Sequence, residues 1–393
     1  MSNRVTLPRT TAWILLVFIY YLAAAASFSG FFIKWHFSET EKYSLPLMLE
    51  GTAKRPFVYR QLLPMAANAL DSVIPQRAKT TFLNKLAEEP PISNPIQRYF
   101  PAATDAADPQ YALRYFLVYG MSFLSMFAAM FAIRAACIEV TGDRIAATLT
   151  PLAIAAVFPL ILTEGGYYYD MPELMFMALG IWLAAKRRII PLALVTVLAT
   201  LNKESYLLFV LTLVPFIALR HSRKQTIMLT GGLLALAAVV NLLIKHRYAL
   251  NGGDAMEYQL MSHLQYLANP RNYIRMEMNY GILTTKGFNV VNLLLVALLL
   301  RTGWRGLPPV ARTHAWIALV ITVPLFIVFC YRDELRNLSL LTMTLAFVTC
   351  ATISAALQQA AARGQRDTAP LPAAQPSVAV SRETVAAREV APR

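Results

Sequence analysis

TAWILLVFIYYLAAAASFSGFFI, residues 11–33, contains no charged side chain and is as long as the run of about 20 apolar residues that a membrane-spanning helix needs. Ala23 to Ala26 imitate a signal-peptidase site, but the apolar run continues through Phe31, Phe32 and Ile33, longer than a signal h-region. The stretch therefore reads as an uncleaved anchor. Further apolar runs follow at about 112–138, 146–162, 174–185, 189–201, 205–219, 226–244, 288–300, 313–330 and 338–357. The expected fold is all-α: a polytopic bundle of about ten membrane segments.

Composition agrees. Of 393 residues, 57% are hydrophobic and 15% charged, and the mean hydropathy is +0.47. Soluble domains carry about 25% charged residues, so this chain lacks the charge to cover a water-facing surface. The net charge of +14 is dealt out in clusters between apolar runs, a pattern of membrane orientation, and nucleic acid is not an expected partner.

Two long polar segments, about 35–110 and 246–287, interrupt the runs; the first holds a possible amphipathic helix near Gln61 to Val73. Beyond 357 the composition turns to Ala, Pro, Arg, Gln and Ser without periodicity, so 1–357 reads as the membrane domain and 358–393 as a disordered cytoplasmic tail. Short loops carry Arg4 and Arg9, Arg144, Lys186 to Arg188, Arg220, Arg223 and Lys224, and Arg301, Arg305 and Arg312. With ten crossings all of them fall on one side, which the positive-inside rule makes the cytoplasm. Both termini are then cytoplasmic, and the long loops and the connections 163–173, 202–204 and 331–337 face outward. Residues 189–219 as one helix would be about 46 Å long at 1.5 Å per residue against a core of about 30 Å. A hairpin of two short helices fits better and sinks the Asn202-Lys203-Glu204 turn below the outer surface.

Charges near membrane depth cost a few kcal/mol unless paired or hydrated and tend to mark functional cavities. Four groups open outward. The first holds Glu39 and Glu41, then Lys54-Arg55-Pro-Phe-Val-Tyr59-Arg60; two arginines beside aromatics suit a phosphate, although snorkelling to headgroups explains them equally well. The second is Glu164-Gly-Gly-Tyr-Tyr-Tyr169-Asp170-Met-Pro-Glu173. Asp170 and Glu173 have capping-box spacing and the tyrosines suit an interfacial belt, while a capping carboxylate remains able to serve as a base. In the third, Lys203 and Glu204 either pair with each other or bind and orient an anion with Asn202. The fourth, Tyr331-Arg-Asp-Glu-Leu-Arg336-Asn337, is either a solvated loop or a phosphate site centred on Arg336.

Several classes drop out. Cys137, Cys330 and Cys350 are scattered, with no CxxC. The five histidines lack ligand spacing, so no zinc site is expected; His36 and His263 lie outward, within reach of a substrate. No GxxxxGK[ST] or strand-borne GxGxxG is present, which argues against nucleotide hydrolysis.

The motifs Arg55-Pro-Phe-Val-Tyr-Arg60 with Leu62-Leu63-Pro64, Tyr169-Asp170-Met-Pro-Glu173, Asn202-Lys203-Glu204 and Glu334-Leu-Arg336-Asn337 resemble those of bacterial membrane proteins related to the GT-C glycosyltransferases. The resemblance covers most of residues 11–357. It implies a large first external loop and an inverting transfer, outside the cytoplasmic (inner) membrane, from a polyprenyl-phosphate sugar to a glycan, lipid or protein acceptor. The family's acidic residue in the first loop maps to Glu39 or Glu41; the absence of an Asp-Asp or Asp-Glu pair there keeps Asp170 as a third candidate base. The substrate-binding set is then Arg55, Tyr59, Arg60, Glu173, Asn202, Lys203, Glu204 and Arg336. No cofactor is implied, with a divalent cation left open by the carboxylates. A transporter or flippase of a lipid-linked or anionic substrate is the rival reading, since it also places charges in a membrane cavity.

Overall fold

The computed structural model describes residues 8–37, 44–88, 93–254, 256 and 258–367. The helices are α1 (Arg9–Trp35), α2 (Leu45–Glu50), α3 (Leu62–Val73), α4 (Gln76–Glu88), α5 (Pro95–Tyr99), α6 (Ala112–Thr141), α7 (Arg144–Ile161), α8 (Asp170–Ala185), α9 (Ile189–Asn202), α10 (Tyr206–Thr212), α11 (Val214–Ala218), α12 (Arg223–Arg247), α13 (Leu260–Ala268), α14 (Val290–Gly303), α15 (Pro309–Phe329) and α16 (Thr342–Asp367). Between α13 and α14, strands β1 (Met276–Asn279) and β2 (Ile282–Thr285) form an antiparallel hairpin, the only strands among the described residues.

Every apolar run identified in the sequence is helical. Among the described residues six helices, α1, α6, α7, α12, α15 and the segment Leu335–Arg363, are long and apolar enough to cross a membrane; Ile189–Asn202 and Tyr206–Ala218 are apolar but shorter. The protein is a multi-pass helical membrane protein. The last helix runs to Asp367, ten residues beyond the boundary placed at 357.

Helix α8 forms the centre. Residues on all its faces are buried, from Asp170 to Ala185, as expected of a helix apolar all round, and α6 and α9 pack along it. Its 16 residues span only about 24 Å, and α9, at 14 residues, is shorter still. The expected hairpin of short arms is what forms: Lys203 leaves the helix with φ −159° and ψ 133°, and the chain restarts at Tyr206.

The two ends of the bundle differ. Where α6, α8 and α11 end, Glu139 pairs with Lys186 at 2.6 Å and Arg220 at 3.5 Å, and Asp143 caps α7 by accepting from the Ile145 and Ala146 amides at 3.0 Å. The other end gathers the loops at 163–169, 203–205 and 330–334. The amphipathic α3 docks there through Leu63, Pro64 and Ala67, and the Gln61 amide donates to the Leu201 carbonyl at 3.0 Å.

Candidate functional site

Three of the four sequence groups, with Arg60 from the first, converge at this second end. The loop after α7 turns inward because Asp170 Oδ2 accepts from the Tyr167 amide at 2.8 Å, and Tyr168 and Tyr169 are buried. Asn202 donates to the Tyr169 carbonyl at 2.8 Å, and the Tyr168 hydroxyl donates to the Arg60 carbonyl at 3.1 Å. These bonds tie the N-terminus of α8 to the end of α9 and to the first loop.

Two expectations change. Asp170 and Glu173 do not form a capping box: no side chain caps α8, because Asp170 reaches back to Tyr167 and Glu173 reaches across the bundle. Nor are the tyrosines an interfacial belt. Tyr167 and Tyr169 stack at 5.0 Å and 5°, with Arg336 over the Tyr167 ring at 4.1 Å and Arg60 over the Tyr169 ring at 4.7 Å, cation–π contacts that hold both guanidinium groups in place.

The ion pairs are equally specific. Lys203 and Glu204 do not pair with each other. Lys203 Nζ lies 2.7 Å from Glu173 Oε2, whose partner oxygen accepts from Ser205 Oγ at 2.8 Å and Ser339 Oγ at 2.7 Å. Arg60 grips Glu204 with two bonds, at 2.9 and 3.2 Å, and donates to the Tyr169 hydroxyl. Arg336 donates to the same hydroxyl at 3.3 Å and also bonds Glu334. Burial alone would push the Glu204 carboxyl up, but the Arg60 charge and hydrogen bonds outweigh it and hold the group down at about 2.

Asp170 is 3% exposed, and its Oδ1 has no hydrogen-bond partner. Lys203 Nζ stands 3.9 Å away and Arg336 Nη1 4.0 Å, both beyond hydrogen-bond reach. Arg336 Nε is likewise buried without a partner. Both residues line a cavity of about 20 Å³, together with Phe158, Leu174, Ser339 and Thr342, room for one water-sized group. No family model, curated protein or solved structure matches the chain.

Other sequence candidates fall outside this cluster. Arg55 lies in the first loop, where its amide donates to the Gly252 carbonyl at 2.8 Å, and Tyr59 is buried under Lys245, 5.9 Å above its ring. Among the described residues neither side chain hydrogen-bonds or ion-pairs with the cluster. Glu39 and Glu41 lie outside the described residues. His263 is buried, with Nδ1 3.1 Å from the Cys330 carbonyl. Among the described residues no group of three or more metal-ligating side chains occurs.

Sequence reasoning quoted Glu334 within a motif but gave it no role, and it missed Ser205 and Ser339 as site members and Tyr169 as the hydroxyl shared by both arginines; single hydroxyls carry no spacing signal. It also missed a neighbouring network. Lys286 pairs with Glu164 at 2.7 Å, and Arg275 with Glu164 at 3.5 Å and Asp333 at 3.4 Å. Burial would raise Glu164, but Lys286 and Arg275 hold it below its ordinary value, whereas burial and the charge of Glu164 raise Asp333. The Thr163 hydroxyl bonds the Asp333 carbonyl and joins the two loops.

Proposed function

We propose that the protein is a membrane glycosyltransferase that moves a sugar from a polyprenyl phosphate to a hydroxyl-bearing glycan, lipid or protein acceptor at the non-cytoplasmic face of a bacterial inner membrane. The observation that carries this reading is the convergence of Arg60, Asp170, Glu173, Lys203, Glu204 and Arg336, from four separate stretches of chain, at one end of an apolar bundle. Such charges are costly in a membrane protein unless they serve one another or a substrate. Here most are mutually satisfied, while Asp170 Oδ1 and Arg336 Nε remain open.

Asp170, whose Oδ1 has no hydrogen-bond partner, is the general base in this reading. The acceptor O–H gives its proton to Asp170 while its oxygen attacks the anomeric carbon. The bond from that carbon to the phosphate oxygen breaks, and the electron pair leaves with the polyprenyl phosphate. Arg336, and Arg60 once Glu204 yields, supply donors for the departing charge. Four carboxylates, Asp170, Glu173, Glu204 and Glu334, already face three cations, so a phosphate must displace a carboxylate to bind. Glu204, whose side chain is 32% exposed, is the most accessible of the paired acids.

The test uses the full chain in phosphatidylethanolamine–phosphatidylglycerol vesicles with a panel of radiolabelled polyprenyl-phosphate sugars and candidate acceptors. Wild type is expected to release polyprenyl phosphate from one donor, and Asp170→Asn to slow that release by about 10²–10⁴-fold, the usual contribution of a general base. No consumption of any donor by wild type would overturn the reading. The interruption between Asn202 and Tyr206, a broken pair of short helices with polar backbone at depth, favours transport as the second reading; net movement of intact donor across the vesicle without sugar transfer would establish it.

A further inference from the structure

The hairpin β1–β2 is built inside out. A strand pair on a soluble surface turns apolar side chains to the protein and polar ones to water, yet here Met278 and Leu283, directly paired, are 63% and 64% exposed. Met276, on the same face, is exposed as well. On the opposite face Glu277 and Asn279 turn inward: Lys34 Nζ donates to Glu277 at 2.7 Å and to Asn279 Oδ1 at 3.2 Å, and Asn279 Nδ2 donates to Thr284 Oγ1 at 2.7 Å.

The tip of the hairpin lies below the helix ends. Tyr280 packs so closely on Gly30 that a Cβ there would stand 2.5 Å from its ring, and its hydroxyl donates to the Ala156 carbonyl at 3.3 Å. Gly30 precedes Lys34 by four residues on α1, and Ala156 precedes Ile161, the last residue of α7, by five. At 1.5 Å per residue these offsets put the tip about 6–8 Å inside the helix ends. After Lys286 and Gly287 the chain continues into α14, whose Leu294, Leu295 and Leu298 are themselves exposed, so the apolar surface runs on from hairpin to helix.

We infer that the hairpin is seated in the lipid leaflet at the site end of the bundle, with Met276, Met278 and Leu283 against lipid and its polar face held on α1 by Lys34. The depth is interfacial, where water still reaches the unpaired strand edges; the hydrocarbon centre would not tolerate them. The inference does not rest on glycosyl transfer.

Spin labels test it. Leu283→Cys and Met278→Cys, each labelled with a nitroxide, are compared in phosphatidylethanolamine–phosphatidylglycerol vesicles with Leu294→Cys on α14 as lipid reference and Asn84→Cys on the polar α4 as aqueous reference. The native cysteines are buried. The two hairpin labels are expected to show an oxygen-over-nickel-chelate accessibility ratio several-fold above Asn84 and rising toward Leu294. A ratio equal to that at Asn84 means the face meets water, and low accessibility to both reagents with dipolar broadening means a second copy covers it; either result overturns the proposal. A variant that no longer elutes as wild type is replaced by Met276→Cys, read the same way.

Discussion

Lys203→Met is the sharpest probe of how the polar centre is held. Methionine replaces the length of the lysine stem but removes the ammonium that stands 2.7 Å from Glu173 and 3.9 Å from Asp170. At 4% exposure water cannot take over the lost interaction, and breaking a buried pair by removing one partner costs about 3–5 kcal/mol. An exposed pair would give only about 0.2–1 kcal/mol. Unfolding in mixed micelles titrated with sodium dodecyl sulfate, followed by far-UV circular dichroism, measures the difference. Combining Lys203→Met with Glu173→Gln is expected to recover part of the loss, because the amide oxygen still accepts from Ser205 and Ser339 and no unpaired charge remains at 173. The coupling should reach about 2–3 kcal/mol, the upper range for contacting residues. Additive single effects, or a Lys203→Met variant as stable as wild type, would refute the account of a charge-locked centre.

Acid titration isolates the Arg60–Glu204 pair. The folded value of Glu204, about 2, lies below its ordinary 4.5, so its contribution is complete above about pH 4.5 and fades as pH falls toward 2; the stability gap between wild type and Glu204→Gln should close over that window in thermal unfolding curves. Arg336→Lys keeps the charge but not the planar fork that spans Tyr167, Tyr169 and Glu334. In the vesicle assay donor release should fall by about 10- to 100-fold, the equivalent of a lost charge-assisted hydrogen bond, with circular dichroism unchanged. Gly166→Ala places a Cβ 2.4 Å from Trp35 and 2.6 Å from Phe31, so overpacking should cost about 1–3 kcal/mol in the same unfolding titration.

The apolar runs determined by themselves that this chain is a helical membrane protein, because a run of about 20 uncharged residues has few other stable fates. They also located the short arms around Asn202-Lys203-Glu204, since helix length is set by residue count, and the amphipathic α3, whose period is visible in Gln61 to Val73. Pairing was decided only in three dimensions. Capping-box spacing at Asp170 and Glu173 is a local rule, and it lost to bonds that cross 30 or more residues, from Lys203, Ser205 and Ser339. Adjacent Lys203 and Glu204 point to different partners because the extended backbone at 203 sends successive side chains apart. The belt of tyrosines became an interior stack once Arg60 and Arg336 arrived from distant segments to lie on it. The hairpin was hidden for the same kind of reason: its short strands have no hydrophobic face toward the protein, and only packing against Gly30 and Ala156 shows which way they turn.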